Sequence, residues 1–254
     1  MPFEYTPSEL MAVAGARELH DGEVVAVGLG LPVVASFLAK HTHAPKMTIL
    51  FELGVIDPQP VDQGVGLADP RVWYRANVLS SFVDILGEVL HRGRVDVGFL
   101  GGLEVDQYGN LNTSLLGDPK GKFRHMIGSG GANDIASCAK RTIIIMRHEE
   151  RKIRQAISFI TSPGYLTGND SRSQAGLLGG PSRVITDKAI FSFHPETKQM
   201  MLSSIHPGIT LEEVLGTMGF KPAVPEHIAY TEPPTPEQVR LIREVIDPRH
   251  MYMG

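Results

Sequence analysis

The chemistry open to this chain starts with one carboxylate. Glu52 follows the run Met47-Thr48-Ile49-Leu50-Phe51 and stands two residues before Gly54. A buried strand over residues 47–51 would therefore deliver it to the strand's C-terminal end and turn away at once. In open α/β sheets ligands bind in the crevice outside the strand carboxyl ends. Glu52 is thus a candidate nucleophile or base, set against the plainer role of a helix cap or an arginine's ion partner. Two glycine stretches could serve it. Gly28-Leu29-Gly30-Leu31-Pro32 lies between a predicted strand and a predicted helix and could offer backbone N–H groups to a phosphate or an oxyanion. It is no dinucleotide fingerprint, because Val33 stands where the third glycine belongs. Gly128-Ser129-Gly130-Gly131 lets backbone approach a ligand closely, or simply supplies the unusual φ angles of a loop. Tyr108-Gly109-Asn110 reads as a turn. His41-Thr42-His43 lacks a third ligand and His148-Glu149-Glu150-Arg151-Lys152 reads as a solvated face, so no metal site is expected. Neither a G-x-S-x-G elbow nor a P-loop occurs.

The elements that must position these residues alternate. Thr6-Pro7-Ser8-Glu9 is a capping box with Pro at the first helical position, predicting a helix that stops near Asp21-Gly22. A strand over 23–27 and a helix to about Lys40 follow. Residues 58–70 form a Gly/Pro-containing loop, long enough to be a lid or a contact surface. Phe82, Ile85, Leu86, Val89 and Leu90 mark one apolar helix face that ends at Arg92-Gly93. Residues 95–100 and 142–147 read as buried strands, 106–110 as a turn whose Gly and Asn suit positive φ, and 134–139 as a helix holding Cys138. Short strands are expected over 158–161, 183–186, 189–193 and 200–204, the last three as an antiparallel meander. Capping boxes at Thr210-Glu213 and Thr235-Gln238 open two more helices, the second stopped by Pro248. The pattern is α/β: an open, mainly parallel sheet flanked by helices with an antiparallel C-terminal meander, in one domain over residues 1–254.

Composition narrows the function. With 254 residues, 42% hydrophobic and a net charge of -4, the chain can bury a large core and has no basic face for nucleic acid or an anionic membrane. Its single cysteine excludes an intrachain disulfide framework. The N-terminus has no signal-peptide pattern, and no stretch approaches the ~18 apolar residues of a membrane span, so a cytoplasmic protein is expected.

The order and spacing of these motifs resemble the B subunit of class I coenzyme A transferases. The resemblance is carried by Gly28-Leu29-Gly30-Leu31-Pro32, Glu52 with Gly54, Leu100-Gly101-Gly102 through Tyr108-Gly109-Asn110, and Gly128-Ser129-Gly130-Gly131-Ala132-Asn133-Asp134. It continues through Ile185-Thr186-Asp187-Lys188-Ala189-Ile190-Phe191 and Gly208-Ile209-Thr210-Leu211-Glu212-Glu213-Val214 and spans essentially the whole chain. The Ser-Gly-Gly-Ala-Asn form, Thr161-Ser162-Pro163-Gly164 and the ending Ile242-Arg243-Glu244-Val245-Ile246-Asp247-Pro248 are most similar to glutaconate CoA-transferases.

The resemblance implies a CoA-transferase/NagB-like fold and transfer of CoA between an acyl-CoA and a free acid, with Glu52 forming an anhydride and then a glutamyl-CoA thioester. It implies CoA contacts at Gly28, Leu29, Gly30, Asn110, Gly130 and Gly131. CoA would be a co-substrate rather than a resident cofactor, and an A subunit would complete a hetero-oligomer, with exposed apolar loops such as 61–73 as contact surface. Many family members read Ser-Glu-Asn-Gly at the nucleophile, whereas this chain has the more apolar Phe51-Glu52-Leu53-Gly54. Relatives of this fold also hydrolyse or decarboxylate. The alternatives are an acyl-CoA hydrolase or decarboxylase with Glu52 as general base, and a non-catalytic subunit.

Overall fold

Thr6 opens the first helix, α1 (Pro7–Arg17), through the predicted reciprocal pair: the Glu9 amide donates to Thr6 Oγ1 and the Thr6 amide to Glu9 Oε2. The box satisfies amides that a helix start leaves unpaired. The computed structural model describes residues 4–60 and 64–253, grouped into two compact units, Met1–Phe99 with Pro233–Gly254, and Leu100–Glu232. α1 ends at Glu18 rather than near Gly22, because His20 begins a turn of its own, its amide donating to Glu23 Oε2.

In the first unit β1 (Val24–Ala26), α2 (Leu31–His41), β2 (Thr48–Phe51), β3 (Val55–Ile56), β4 (Val78–Leu79) and β5 (Val97–Leu100) follow. β1 runs parallel to both β2 and β5, and Val25, Ile49, Leu50 and Phe51 are buried, as strands covered on both faces require. β3 and β4 extend the edge antiparallel. Two residues each, they are too short to show an alternation in sequence. Residues 61–63 of the predicted loop lie outside the described residues; the loop ends in a 3₁₀ turn, Pro70–Trp73, capped by Asp69. Asp84–Leu90 is helical as predicted, but wound as a π turn. That winding shifts the apolar stripe of a 3.6-residue repeat. Ile85, Leu86 and Leu90 are buried, while Phe82, expected beside them, is 44% exposed.

The second unit carries two small hairpins, β6 (Glu104–Val105) with β7 (Leu111–Asn112), and β8 (Leu115–Gly117) with β9 (Phe123–His125). Then come α3 (Ala132–Cys138), β10 (Arg141–Ile145), α4 (Ser171–Gln174), β11 (Pro181–Ile185), β12 (Ala189–Phe193), β13 (Met200–Ile205), α5 (Leu211–Leu215) and β14 (Ala229–Tyr230). β10 and β11 are parallel, and β11, β12 and β13 form the expected antiparallel meander, to which β14 adds in parallel. The strand predicted over 158–161 is absent. The Thr161 and Ser162 amides both donate to the Leu111 carbonyl, making one isolated bridge, and Pro163, without an N–H, extends no ladder.

The chain returns to the first unit with α6 (Pro236–Leu241), opened by the predicted Thr235/Gln238 box. It continues through a π turn, Ile242–Ile246, that closes at Asp247. Arg243 Nε donates to Glu9 Oε1 at 2.6 Å, tying this return to α1. The fully buried Asp247 carboxylate accepts the Met251 and Tyr252 amides. The fold is the open α/β sheet flanked by helices that the sequence predicts. Among the described residues no helix is long and apolar enough to cross a membrane.

Candidate active site

β2 and β3 are joined by three residues, Glu52-Leu53-Gly54, because Phe51 pairs directly with Val55. The Gly54 amide donates to the Phe51 carbonyl (3.0 Å), closing the turn. Gly54 adopts φ 108°, and a Cβ there would lie 2.3 Å from the Ser80 carbonyl oxygen. Only glycine fits, since the Ser80 amide also donates to the Gly54 carbonyl at 2.8 Å. The half-buried Glu52 is thereby fixed at the apex of a turn held on both sides. Beside it the parallel neighbour β1 leaves the sheet: the Val27 amide donates to the Leu50 carbonyl (2.9 Å), and residues 28–30 turn into α2. Gly30 caps α2 at φ 92° with no side-chain hydrogen bond. The positive end of α2 is left without a capping side chain. Leu29 and Leu53, 36% and 37% exposed, place apolar groups at the two turns. The structure thus brings Gly28, Leu29, Gly30 and Glu52 together at the exits of adjacent parallel strands.

The other predicted contacts belong to the second unit, where they divide. Asn110 has 0% exposure and every hydrogen-bonding position of its amide is occupied. Its Oδ1 accepts the Gly164 and Leu166 amides (2.8 and 3.0 Å), and its Nδ2 donates to Asp106 Oδ2 and the Leu166 carbonyl (both 2.8 Å). In this conformation the Asn110 side chain is fully engaged within the protein, where it holds the 164–166 turn. There the backbones touch, since a Cβ on Gly164 would lie 2.3 Å from the Gly109 carbonyl carbon. Asn110 itself does not adopt positive φ; Gly109 does, at 73°. The 128–131 loop is different. Gly130 is exposed, with φ 51°, and Gly131 is buried as the N-cap of α3, again without a side-chain hydrogen bond. Thr113 anchors the loop, its Oγ1 donating to the Gly128 carbonyl (2.7 Å) and its carbonyl accepting the Gly128 amide (3.1 Å).

Sequence reasoning missed the polar network behind these loops. Glu104, Asp106 and Asn112, 7%, 7% and 0% exposed, lie with Asn110 on or beside the β6–β7 hairpin, where Asp106 bonds Asn110 and Glu104 bonds Asn112. Asn112 Nδ2 donates to Glu104 Oε2 (2.6 Å), which also accepts the Ser158 amide (3.1 Å). Burial pushes the Asp106 carboxyl above its usual range, against the hydrogen bonds from Asn110 and Tyr108 that favour its charged form. The signal was present, since Glu104-x-Asp106 and Asn110-x-Asn112 alternate on either side of the turn and so share one face. Arg172 gave no such signal. It is 3% exposed, and among the described residues its guanidinium donates only to backbone carbonyls, those of Pro163, Gly164, Ala136 and Leu178. It thus joins the 163–164 turn to α3.

His148, expected on a solvated face, is buried at 4% exposure. Its Nε2 faces the Val214 carbonyl, which can only accept, so Nδ1 is the acceptor for the Thr186 hydroxyl (both 3.0 Å). Desolvation holds its pKa down at about 4. The nearby His206 is lowered for the same reason. Both serve the interior of the second unit.

The family pattern described as Coenzyme A transferase matches residues 8–216. This chain belongs to the coenzyme A transferase family. Within it the chain is 38% identical to the B subunit of glutaconate CoA-transferase from Acidaminococcus fermentans, over 98% of this chain and 95% of that one. The crystal structure of glutaconate coenzyme A-transferase from the same organism superposes with a TM-score of 0.92 at 36% identity, covering 99% of this chain and 98% of the other. The B subunit of 3-oxoadipate CoA-transferase from Pseudomonas knackmussii is 36% identical over 94% of this chain and 92% of its own length. A cholesterol ring-cleaving hydrolase subunit of Rhodococcus jostii is also similar, 28% identical over 98% of this chain and 95% of its own.

Proposed function

We propose that this coenzyme A transferase chain acts, as one domain over residues 1–254, as the B subunit of a two-subunit enzyme. The enzyme moves CoA from an acyl-CoA to a free carboxylic acid of the dicarboxylic, glutaconate-like kind. The observation that carries the reading is the seat of Glu52, at a rigid turn beside the 28–30 turn and the uncapped start of α2. A Glu52 oxygen adds to the thioester carbonyl carbon, the C–S bond breaks, and CoA thiolate leaves with the electron pair. The product is a mixed anhydride. The thiolate then adds to the Glu52 acyl carbon, and the C–O bond breaks to release the first carboxylate and leave a glutamyl-CoA thioester. An incoming carboxylate attacks that thioester and the same steps run in reverse.

A carboxylate is a weak nucleophile toward a thioester in water, and a fixed, water-poor setting raises its reactivity through orientation and loss of hydration. Leu29 and Leu53 supply the apolar surroundings. Each addition passes through an oxyanion, for which backbone amides are the donors of choice, and the 28–30 turn is the source nearest Glu52 along the sheet. Gly28, Leu29, Gly30, Gly130 and Gly131 are assigned to CoA contact, and Asn110 to positioning. CoA is a co-substrate. The partner is an A subunit, as the names of the relatives suggest, and it completes the pocket.

The test is Glu52→Gln in the complex purified with its A subunit. Turnover falls at least about a thousandfold while CoA affinity stays within about twofold. Product forming without an acceptor acid would instead favour the hydrolase reading, with Glu52 as general base for water. Unchanged transfer by the variant would favour a non-catalytic role for this chain.

A further inference from the structure

The β8–β9 hairpin displays side chains that the fold itself leaves unused. Phe123 is 42% exposed, Ile127 is 90% exposed, and Lys120, Lys122, Arg124 and His125 are all exposed. Among the described residues the side chains of Lys120, Lys122 and Arg124 have no ion pair or hydrogen-bond partner. The one acid of the hairpin, Asp118, is engaged by the turn, its Oδ1 accepting the Lys120 amide at 2.9 Å. Phe123 and His125 stand on one face of β9 with ring centroids 5.0 Å apart, edge to face at 89°. Strand alternation places Lys122 and Arg124 on the other face, on stems long enough to reach around a ribbon of two strands. An isolated two-stranded hairpin is marginal in water, and exposing aromatic and aliphatic groups beside unpaired cations adds nothing to its stability.

The base of this hairpin is the glycine loop. The Met126 amide donates to the Ser114 carbonyl (2.9 Å), the Gly128 amide to the Thr113 carbonyl (3.1 Å), and Thr113 Oγ1 to the Gly128 carbonyl (2.7 Å). From Phe123 to Gly128 the chain spans at most about 17 Å, the scale of a pantetheine arm. In a chain of net charge -4, Lys120, Lys122 and Arg124 fall within five residues. Such a cluster attracts a polyanion that the rest of the chain repels. Cationic side chains bind phosphate oxygens strongly, and aromatic rings stack on any nucleobase.

We infer that the β8–β9 hairpin seats the phosphorylated adenosine end of coenzyme A, with Lys122 and Arg124, aided by Lys120, on its phosphates and the Phe123–His125 pair on its adenine. The inference rests on CoA being the co-substrate. It adds to that reading a nucleotide subsite made of residues outside both glycine turns.

The experiment is a calorimetric titration of CoA, dephospho-CoA and pantetheine into the complex with its A subunit, for wild type, the double variant Lys122→Ala/Arg124→Ala, and Phe123→Ala. Wild type prefers CoA over dephospho-CoA. The double variant binds CoA at least about tenfold more weakly and loses that preference, and its CoA affinity depends less on salt; pantetheine binding is unchanged. Phe123→Ala weakens CoA and dephospho-CoA alike. Equal CoA affinity in variant and wild type would overturn this subsite and leave the transferase reading standing. Loss of the A subunit from the variant on gel filtration would mark the hairpin as an intersubunit contact and overturn it too. Failure of the wild-type complex to bind CoA at all would remove the transferase reading, and this inference with it.

Discussion

The position of Glu52 at a strand exit was legible in the sequence because two independent signals converge there, an apolar run that reads as strand and a glycine two residues on that reads as turn. The structure adds the reason for the glycine, a backbone contact with Ser80 that no sequence pattern encodes. Gly54→Ala combines that clash with a strained φ. It is expected to lower stability by about 2 kcal/mol or more and turnover by more than tenfold, since small displacements of a reacting group are costly. Thermal unfolding and steady-state kinetics of the assembled enzyme check both numbers. His148 was misread because a polar neighbourhood in sequence, Glu149 to Lys152, says nothing of where the ring itself points. Its folded pKa of about 4 lies below the ordinary 6.5. Between those values the unfolded chain binds a proton that the folded chain does not. Stability is therefore constant above that window, falls on acidification through it, and levels below it, with a slope of at most about 1.4 kcal/mol per pH unit from this group. Urea midpoints between pH 7 and pH 5 should drop in wild type and drop less in His148→Gln.

At the scale of elements, what was legible was local. All three capping boxes form, because the interaction lies within four residues and depends on little else. The antiparallel meander is found where alternation and tight turns predict it. β3 and β4 escaped notice because two-residue strands carry no period, and the false strand over 158–161 failed because the Ser158 amide goes to the Glu104 side chain and the Thr161 amide to the single carbonyl of Leu111, which leaves no ladder. The β6–β7 hairpin is the instructive case. Its Gly109-Asn110 turn was visible, but what the turn is for depends on contacts to residues 158–166, far along the chain. Asn110→Ala leaves the Gly164 and Leu166 amides and one Asp106 oxygen buried without their partner. At about 1–3 kcal/mol for each orphaned group, denaturant unfolding should show a loss of at least about 3 kcal/mol. Intact stability with weakened CoA binding would return Asn110 to the role of a direct contact.

For the molecule as a whole, the proposed A subunit needs a surface. On either side of Ser80 and Ser81, whose backbone abuts the Glu52 turn, Val78, Leu79, Phe82 and Val83 are 47%, 65%, 44% and 72% exposed, and among the described residues β4 is the last strand of its sheet. An uncovered edge strand with apolar side chains invites pairing with another chain. Leu79→Asp/Val83→Asp should therefore weaken association of the two chains by tenfold or more, about 1.4 kcal/mol at least, as read by sedimentation of the mixed subunits, without altering the fold of the isolated chain by circular dichroism. The isolated chain is expected to be inactive alone, and full transfer by a purified homomer would contradict the two-subunit account. The central claim is that the Glu52 carboxylate itself becomes acylated. The most direct measurement is to mix the assembled enzyme with acyl-CoA, quench with borohydride, and determine the mass of the peptide holding residue 52. The account predicts reduction of that side chain to an alcohol with loss of activity. An unmodified Glu52 in an enzyme that still turns over would contradict it.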